Sequence, residues 1–313
     1  MKVRMFLALT LALALLAQPV AGQTVITYSA WGNTDEIAVE ERLIRAFEAA
    51  HPDIKVELIV PVGSYSENLL VWVAGGTVPD VVTLNRNSYA QFAEVMQPYD
   101  PAGVDTSVYV SPALFEALNY NGNQIGLPKR MNTKVMIYDR EAFDAAAVAL
   151  PSGEWTPADY AEAARRLTRR SGDLVERWGS GPLVIWNWFT AFGAKLYSDD
   201  GKQALFTSPQ VIEATEFMLG LHKEYAGWFD DFPNFNEALV TGRMAMFADV
   251  GPWYVPDLLA NATFEWTIAP LPGEPLEPEM TGISISKSTE HYDAALKFAT
   301  WVSTSPEAQE IIA

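Results

Sequence analysis

The chain of 313 residues carries a formal charge of −18 and contains no cysteine. A strongly acidic surface repels nucleic acid and anionic lipid, which argues against both as partners. Without cysteine, neither disulfide bonds nor the common zinc sites can form. Hydrophobic residues make up 49% of the chain and charged residues 19%, so this length can bury a sizeable core divided between two lobes.

The first 22 residues have the layout of a secretory signal peptide. Lys2 and Arg4 precede an apolar run from Met5 to Ala17, and small residues precede Gln23. The alternative is a membrane anchor, but that requires about 20 apolar residues and the run is shorter. We therefore expect residues 1–22 to be a signal peptide and the mature protein to be periplasmic. Because there is no cysteine, we expect no lipid anchor.

The first mature residues alternate between predicted strands and helices. Apolar or period-two patterns predict strands at Thr24–Ser29, Ile54–Val60 and Val81–Leu84. Helical spacing of apolar residues predicts helices at Ile37–Ala50 and Leu69–Ala74. This alternation predicts an α/β fold with crossover connections.

The later elements are predicted in the same way. Strands are predicted at Gln124–Pro128, Lys134–Tyr138 and Ile283–Ser286, and helices at Ala158–Arg169, Val211–Glu224, Glu237–Met244, Tyr292–Val302 and Pro306–Ala313. Thr156 and Pro157 suit the N-cap and first position of the helix that follows them. The last helix has no glycine, asparagine or basic residue at its end, so we expect this chain to be a fragment of a longer protein.

Signatures of catalysis are weak. The three histidines have no partner at a spacing that metal binding on a helix requires, so no metal site and no cofactor are predicted. The most suggestive acidic cluster is Asp230-Asp231, which raises the remote alternative of a secreted glycoside hydrolase. Adjacent carboxylates usually point in different directions, and an acidic turn explains the pair better. We therefore expect a binding protein and not an enzyme.

Aromatic residues in loop-like surroundings are the stronger signal. Trp31, Trp186, Trp188, Trp253 and Tyr254 lie beside Gly, Asn or Pro residues. An indole can stack on the apolar face of a sugar ring, while amide, carboxylate and guanidinium groups bond its hydroxyl rim. Any single tryptophan could equally belong to a core, but five aromatic residues in such settings favour a ligand-binding cleft.

Several short blocks, in order along nearly the whole mature chain, carry a family resemblance. They are Ile26–Asn33, Ala46–Val56, Ala74–Val82, Gly126–Pro128, Tyr138–Phe143, Pro151 with Trp155-Thr156, Gly242–Phe247, Gly251–Trp253 and Gly282–Ser286. In these blocks the chain resembles the extracellular solute-binding proteins of ABC-type carbohydrate importers, the group that includes maltodextrin-binding protein. The resemblance implies two α/β lobes of the periplasmic-binding-protein fold, joined by hinge strands, with ligand in the cleft.

The resemblance also implies lobe boundaries. The N-terminal lobe would comprise residues 23–131 and 284–313, and the C-terminal lobe residues 132–283. Crossover strands are expected near Asn132–Val135 and Gly282–Ser284. Because family members continue with further helices that return to the second lobe, that lobe would be incomplete here and the C-terminal part missing.

The family's ligand contacts can be carried over residue by residue. Trp253, in Gly-Pro-Trp, matches a stacking tryptophan of the second lobe. The expected ligand-binding residues are Trp31, Asn33, Asn85, Arg86, Arg130, Asn132, Trp186, Trp188, Asp249, Trp253 and Gly282. Leu84 stands where some members have an aromatic residue, and Asn132 stands near a position that can be acidic.

The resemblance implies a function in transport. A sugar or oligosaccharide would favour the closed state of the two lobes, and the closed protein would deliver it to the permease of the inner membrane. The protein is expected to be a monomer. The alternative is the same fold with a non-sugar ligand, such as glycerol-3-phosphate, its diesters or a polyamine, for which Lys129-Arg130 is the candidate phosphate site.

Overall fold

The computed structural model describes residues 22–198, 203–274 and 278–313. The predicted signal peptide therefore lies outside the described residues, except for Gly22. The chain divides into two units: the first consists of the residues up to Met131 together with Met280–Ala313, and the second is Asn132–Glu279. No helix within the described ranges is long and apolar enough to span a bilayer.

The second boundary lies four residues earlier than expected, between Glu279 and Met280. We predicted residues 280–283 in the second lobe, and this assignment is wrong. The strand that contains them pairs with a central strand of the first unit from Thr281 onwards, where Thr281 lies opposite Asn85. Their backbone hydrogen bonds therefore belong to the first unit.

The first unit is built on a mixed sheet. The strands of this unit are β1 (Thr24–Ser29), β2 (Ile54–Ile59), β3 (Val81–Asn85), β4 (Met96–Gln97), β5 (Asn119–Tyr120), β6 (Asn123–Gln124), β7 (Leu127–Asn132) and β13 (Glu279–Ser286), and β5 pairs with β6 in a separate hairpin. The order β2-β1-β3-β13-β4 defines the sheet, and β7 pairs with β13. Because β1 runs parallel to β2 and β3, the loops after β1 and β3 leave the same edge of the sheet.

Helices cover this sheet. They are α1 (Thr34–Ala50), α2 (Tyr65–Gly75), α3 (Tyr89–Phe92), α4 (Pro112–Glu116), α11 (Tyr292–Thr304) and α12 (Pro306–Ile312). The core of the unit joins Tyr28 on β1, Phe47 on α1 and Phe298 on α11, with ring centroids 5.0–5.1 Å apart between Phe298 and the other two. α1 begins three residues before the predicted Ile37, because the side chain of Asn33 caps it.

The second unit has an antiparallel three-stranded sheet in the order β11-β8-β12. The strands of this unit are β8 (Val135–Asp139), β9 (Arg169–Ser171), β10 (Leu174–Arg177), β11 (Met246–Val250) and β12 (Trp266–Ala269), and β9 pairs with β10 in a separate hairpin. Its helices are α5 (Arg140–Ala145), α6 (Pro157–Leu167), α7 (Ile185–Ala191), α8 (Pro209–Glu224), α9 (Phe235–Val240) and α10 (Val255–Asn261).

Two local predictions in the second unit have opposite outcomes. Thr156 is the N-cap of α6 and Pro157 its first residue, as predicted. α9 ends at Val240 and not at the predicted Met244, because Gly242 has a φ of +68° and turns the chain out of the helix.

Candidate functional site

A β-bulge in the second unit places Asp249 beside Lys134. Phe247 on β11 lies opposite Ile137 on β8, but Val250 lies opposite Val135, so β11 has one extra residue in this interval. A bulge of this kind redirects a side chain from its usual face. As a result, Asp249 Oδ1 lies 2.7 Å from Lys134 Nζ.

Asn187 on α7 supports the bulge. Its side-chain nitrogen donates to the backbone oxygen of Ala248 at 2.9 Å and to Asp249 Oδ1 at 2.7 Å. A carbonyl displaced from the strand ladder is thereby satisfied, and the Asp249 carboxylate is held in one orientation. Asn187 itself is buried.

Lys134 is paired with two carboxylates. Besides Asp249, its ammonium contacts Glu279 Oε1 at 3.3 Å. Burial alone would lower the pKa of Lys134, but Asp249 and Glu279 outweigh it and raise the pKa above its usual value. The ammonium is therefore charged and fully compensated by acids.

Trp253 lies next to this ion pair. Its ring centroid is 5.7 Å from Lys134 Nζ, which is within the range of a cation–π contact. Trp253 follows β11 in the turn Gly251–Tyr254, and a Cβ atom on Gly251 would overlap the indole ring. Gly251 thus allows the indole to lie against the backbone of its own turn.

A pocket of about 560 Å³ borders the pair in the same unit. Asn132, Lys134, Trp186 and Glu279 are among the residues that line it. Trp186 on α7 is 62% exposed, a large value for an indole. An exposed aromatic ring beside compensated charges and amide groups suits a ligand with both apolar faces and hydroxyl groups.

The first unit contains a smaller pocket of about 150 Å³ at the loops after β1 and β3. Trp31, Tyr65, Asn85 and Ser88 are among its lining residues. The Trp31 and Tyr65 rings have centroids 4.6 Å apart, and the Tyr65 hydroxyl donates to the Ser29 carbonyl at 3.1 Å. Asn85 accepts a hydrogen bond from Thr281 at 3.1 Å.

Three other predicted residues of the first unit lie near the start of α1 or in the turn after β3. Asn33 is exposed and caps α1 through a hydrogen bond from the Glu36 amide. Arg130 pairs with Glu36 at 3.3 Å. Arg86 is exposed in the turn that follows β3.

The structure gives two predicted ligand-binding residues a role in packing. Trp188 is only 1% exposed, and it packs in the core of the second unit against Tyr160 and Phe217. Gly282 is buried in β13, where a Cβ atom would overlap the Tyr89 hydroxyl. Gly282 therefore provides space for Tyr89.

The sequence did not single out Lys134, Asn187, Glu279 or Tyr65. Lys134 and Glu279 lie at the ends of strands that could be recognised, but their partners are distant in the chain. Tyr65 had a usable signal, since Ser64-Tyr65-Ser66 is a polar and aromatic stretch immediately before an apolar helix. Across the described ranges, no group of three or more His, Asp or Glu side chains is arranged to hold a metal ion.

Comparison with known proteins gives consistent matches. A family model described as bacterial extracellular solute-binding protein matches residues 42–313. The maltotriose-binding protein of Pyrococcus abyssi is 26% identical over 92% of this chain, and the mannitol-binding protein of Pseudomonas aeruginosa is 26% identical over 95%. The chain spans 64% of the length of the first relative and 72% of the second.

A solved structure agrees with these matches. An ABC substrate-binding protein of Listeria monocytogenes in complex with cycloalternan is similar with a TM-score of 0.78 and 26% identity. The similarity covers 92% of this chain and 77% of that one.

Proposed function

Since the chain belongs to the bacterial extracellular solute-binding protein family, we propose that it binds a sugar or oligosaccharide and delivers it to an ABC-type importer. Its fold is the two-lobed α/β fold of the periplasmic binding proteins, as in the similar sugar-binding structures. The relatives that bind maltotriose and mannitol support a ligand rich in hydroxyl groups.

The observation that carries the proposal is the position of Trp253 beside the Lys134–Asp249 pair. The indole offers a flat apolar surface, and the Lys134 ammonium, which is paired with Asp249, lies 5.7 Å from the ring centroid. A sugar ring needs both, because its C–H groups form an apolar face and its hydroxyl groups form a polar rim. Hydrogen bonds to charged groups are among the stronger ones, which suits neutral hydroxyl ligands.

The charge balance argues against an anionic ligand such as glycerol-3-phosphate or its diesters. Lys134 is compensated by two carboxylates, and Lys129 is buried against Glu40 at 2.5 Å. Arg130 is paired with Glu36. A phosphate group needs uncompensated cations or a bidentate guanidinium, so these three groups favour a neutral ligand.

We propose that the ligand is returned unchanged. Glycoside hydrolysis needs two carboxyl groups with different protonation states on either side of the scissile bond. Asp249 and Glu279 instead share one ammonium. The acidic pair noted in the sequence has a structural role, since Asp231 accepts a hydrogen bond from the Trp228 amide at 2.7 Å.

The proposed setting is the periplasm, with the inner-membrane permease as the protein partner. The protein is proposed to act as a monomer that binds neither nucleic acid nor a cofactor. The absence of cysteine is compatible with a protein that is not lipid-anchored through that residue. Energy for transport would come from the importer's ATPase.

A thermal-shift screen with isothermal titration calorimetry tests the proposal. The purified protein is screened against mono-, di- and oligosaccharides, sugar alcohols, glycerol-3-phosphate and polyamines. A ligand that binds only the folded state raises the melting temperature in a concentration-dependent way. We expect a selective shift with one class of carbohydrate, and mass spectrometry should recover that carbohydrate intact.

Two tryptophan variants locate the binding. Trp253→Ala should abolish the shift or weaken it strongly. Trp228→Ala is the matched control, because Trp228 is 51% exposed in the same unit and stacks on His222. A shift only with glycerol-3-phosphate or a polyamine would replace the carbohydrate proposal, and cleavage of the sugar would overturn the non-enzymatic one.

A further inference from the structure

The carboxylate of Glu36 joins three parts of the first unit. We propose that Glu36 is a positioning residue that sets the conformation of the Trp31 loop, residues 30–33, and that Arg130 holds Glu36 in place for this purpose. The inference builds on the proposed function and on the expectation from the sequence that Trp31 contacts ligand. It assigns Arg130 a supporting role and removes it from the direct contacts.

The first connection is a capping box at the start of α1. The Asn33 side chain accepts a hydrogen bond from the Glu36 amide at 3.0 Å, and Glu36 Oε2 accepts one from the Asn33 amide, also at 3.0 Å. The two bonds are reciprocal, so they fix the backbone of Asn33 as well as the first turn of the helix. Trp31 is only two residues before this fixed point.

The second connection is direct packing on the loop. A Cβ atom on Gly32 would lie 2.5 Å from Glu36 Cβ and 3.2 Å from Oε2. The Gly32 backbone therefore rests on the Glu36 side chain with no space between them. The Glu36 carboxylate is part of this packing, so a substitution at position 36 changes the atoms next to Gly32, which is covalently joined to Trp31.

The third connection is the ion pair with Arg130. Glu36 Oε1 accepts from Arg130 Nη1 at 3.3 Å, while Oε2 serves the capping box. Both oxygens of the carboxylate are thus engaged, and the side chains of Glu36 and Arg130 are only 25% and 23% exposed. A partly shielded ion pair of this kind restricts the carboxylate more than solvent contact would.

The strand that carries Arg130 is itself anchored to α1. Lys129, the preceding residue, binds Glu40 at 2.5 Å with both side chains almost fully buried. Glu40 lies one helical turn after Glu36, so two adjacent strand residues meet two successive turns of α1. This buried pair fixes the strand against the helix and brings Arg130 within reach of Glu36.

Ligand-free ¹⁹F NMR tests the positioning role directly. The protein has ten tryptophans, and 5-fluorotryptophan labelling gives each its own resonance. The Trp31 resonance is assigned by its loss in Trp31→Phe. Glu36→Gln and Arg130→Gln should both move or broaden the Trp31 resonance. Glu41→Gln, on an exposed residue of the same helix, should leave it unchanged.

The spectrum decides the proposal without reference to ligand. A Trp31 resonance that is the same in Glu36→Gln, Arg130→Gln and wild type would overturn it. Glu36→Gln and Arg130→Gln each disrupt the Glu36–Arg130 ion pair from one side, so the test remains possible if one variant does not fold. Movement of all ten resonances together would indicate a general structural effect and would also overturn it.

Affinity for the carbohydrate identified by the screen provides the second readout. Glu36→Gln should weaken binding up to about fivefold, because glutamine can keep the capping box but loses the ion pair with Arg130. In the Trp31→Phe background the same substitution should have almost no further effect, because Glu36 acts through Trp31. Additive losses would show that Glu36 contacts ligand itself and would overturn the proposal. If no carbohydrate binds at all, the proposed function fails while the spectral test of Glu36 stands.

Discussion

The ammonium of Lys134 and the carboxylate of Asp249 meet at 2.7 Å beside the indole of Trp253. Asn187 bonds the same carboxylate oxygen and the carbonyl of the neighbouring Ala248. The contact exists because β11 has one residue more than β8 in this interval. A local irregularity of the sheet therefore creates the polar part of the candidate site.

Asp249→Asn should weaken carbohydrate binding by roughly tenfold to a hundredfold, the range for a lost hydrogen bond to a charged group. The fold should persist, because Lys134 keeps its contact with Glu279. Isothermal titration calorimetry of the variant measures the loss. Asp230→Asn, on an exposed residue of the same unit, is the control and should bind as wild type does. Unchanged affinity in Asp249→Asn would show that the Lys134–Asp249 pair does not contribute to ligand binding.

Trp186→Ala should lower ligand affinity, whereas Trp188→Ala should lower the stability of the fold. Trp188 is buried between Tyr160 and Phe217, so its removal should cost about 3–5 kcal/mol of the free energy of unfolding. Trp186 is exposed, so its removal should leave the free energy of unfolding within about 0.5 kcal/mol and lower affinity instead. Urea unfolding and calorimetry on both variants separate the effects. If the Trp188→Ala protein were as stable as wild type but had lost affinity, Trp188 would be a ligand contact and not a core residue.

Glu40→Gln should destabilise the protein by about 3–5 kcal/mol, because it leaves the buried ammonium of Lys129 without its charge partner. Burial lowers the pKa of Lys129, and the negative charge of Glu40 opposes this shift. Glu41→Gln is the matched control, since Glu41 and its partner Arg45 are more than half exposed. Urea unfolding at neutral pH compares the two. Equal free energies of unfolding for Glu40→Gln and Glu41→Gln would show that the Lys129–Glu40 pair contributes little to stability.

Sequence patterns were sufficient for the fold because they report burial along a single element. The strands at Thr24 and Val81 and the cap at Thr156 follow from apolar runs and from local hydrogen-bonding chemistry. The two-lobed α/β fold, predicted from ordered short blocks, is confirmed by the structural similarity. The start of α1 was missed because its first turn is polar and is set by the Asn33 side chain.

The candidate site was less predictable, because it depends on orientation and on distant contacts. Trp186 and Trp188 share the same local sequence, but residues two apart on a helix point in roughly opposite directions. One is therefore exposed and the other buried. Lys134 and Asp249 are far apart in the chain, and the bulge that joins them leaves no mark in the sequence. No pattern within one segment could have predicted that contact.

Asp80 joins β1, the start of β3 and the loop after β13. It accepts from the amide and hydroxyl of Thr27, both at 2.8 Å, and from the Thr289 hydroxyl at 2.5 Å. Burial disfavours the charged carboxylate, but these hydrogen bonds and the nearby His291 outweigh burial and lower the pKa of Asp80. The ionised form is therefore the one that the fold stabilises.

Because the pKa of Asp80 is lower in the folded chain than in the unfolded chain, its contribution is present at neutral pH. It should be lost as the pH falls below about 4, where the carboxylate takes up a proton. Asp80→Asn should cost about 1–3 kcal/mol of the free energy of unfolding at pH 7, and the gap to wild type should narrow towards pH 3. Urea unfolding across this range measures the gap. Asp53→Asn, on an exposed carboxylate 3.6 Å from Lys297, is the control, with little effect at either pH. A gap for Asp80→Asn that stays constant with pH would show that the hydrogen bonds at this position do not depend on the charge.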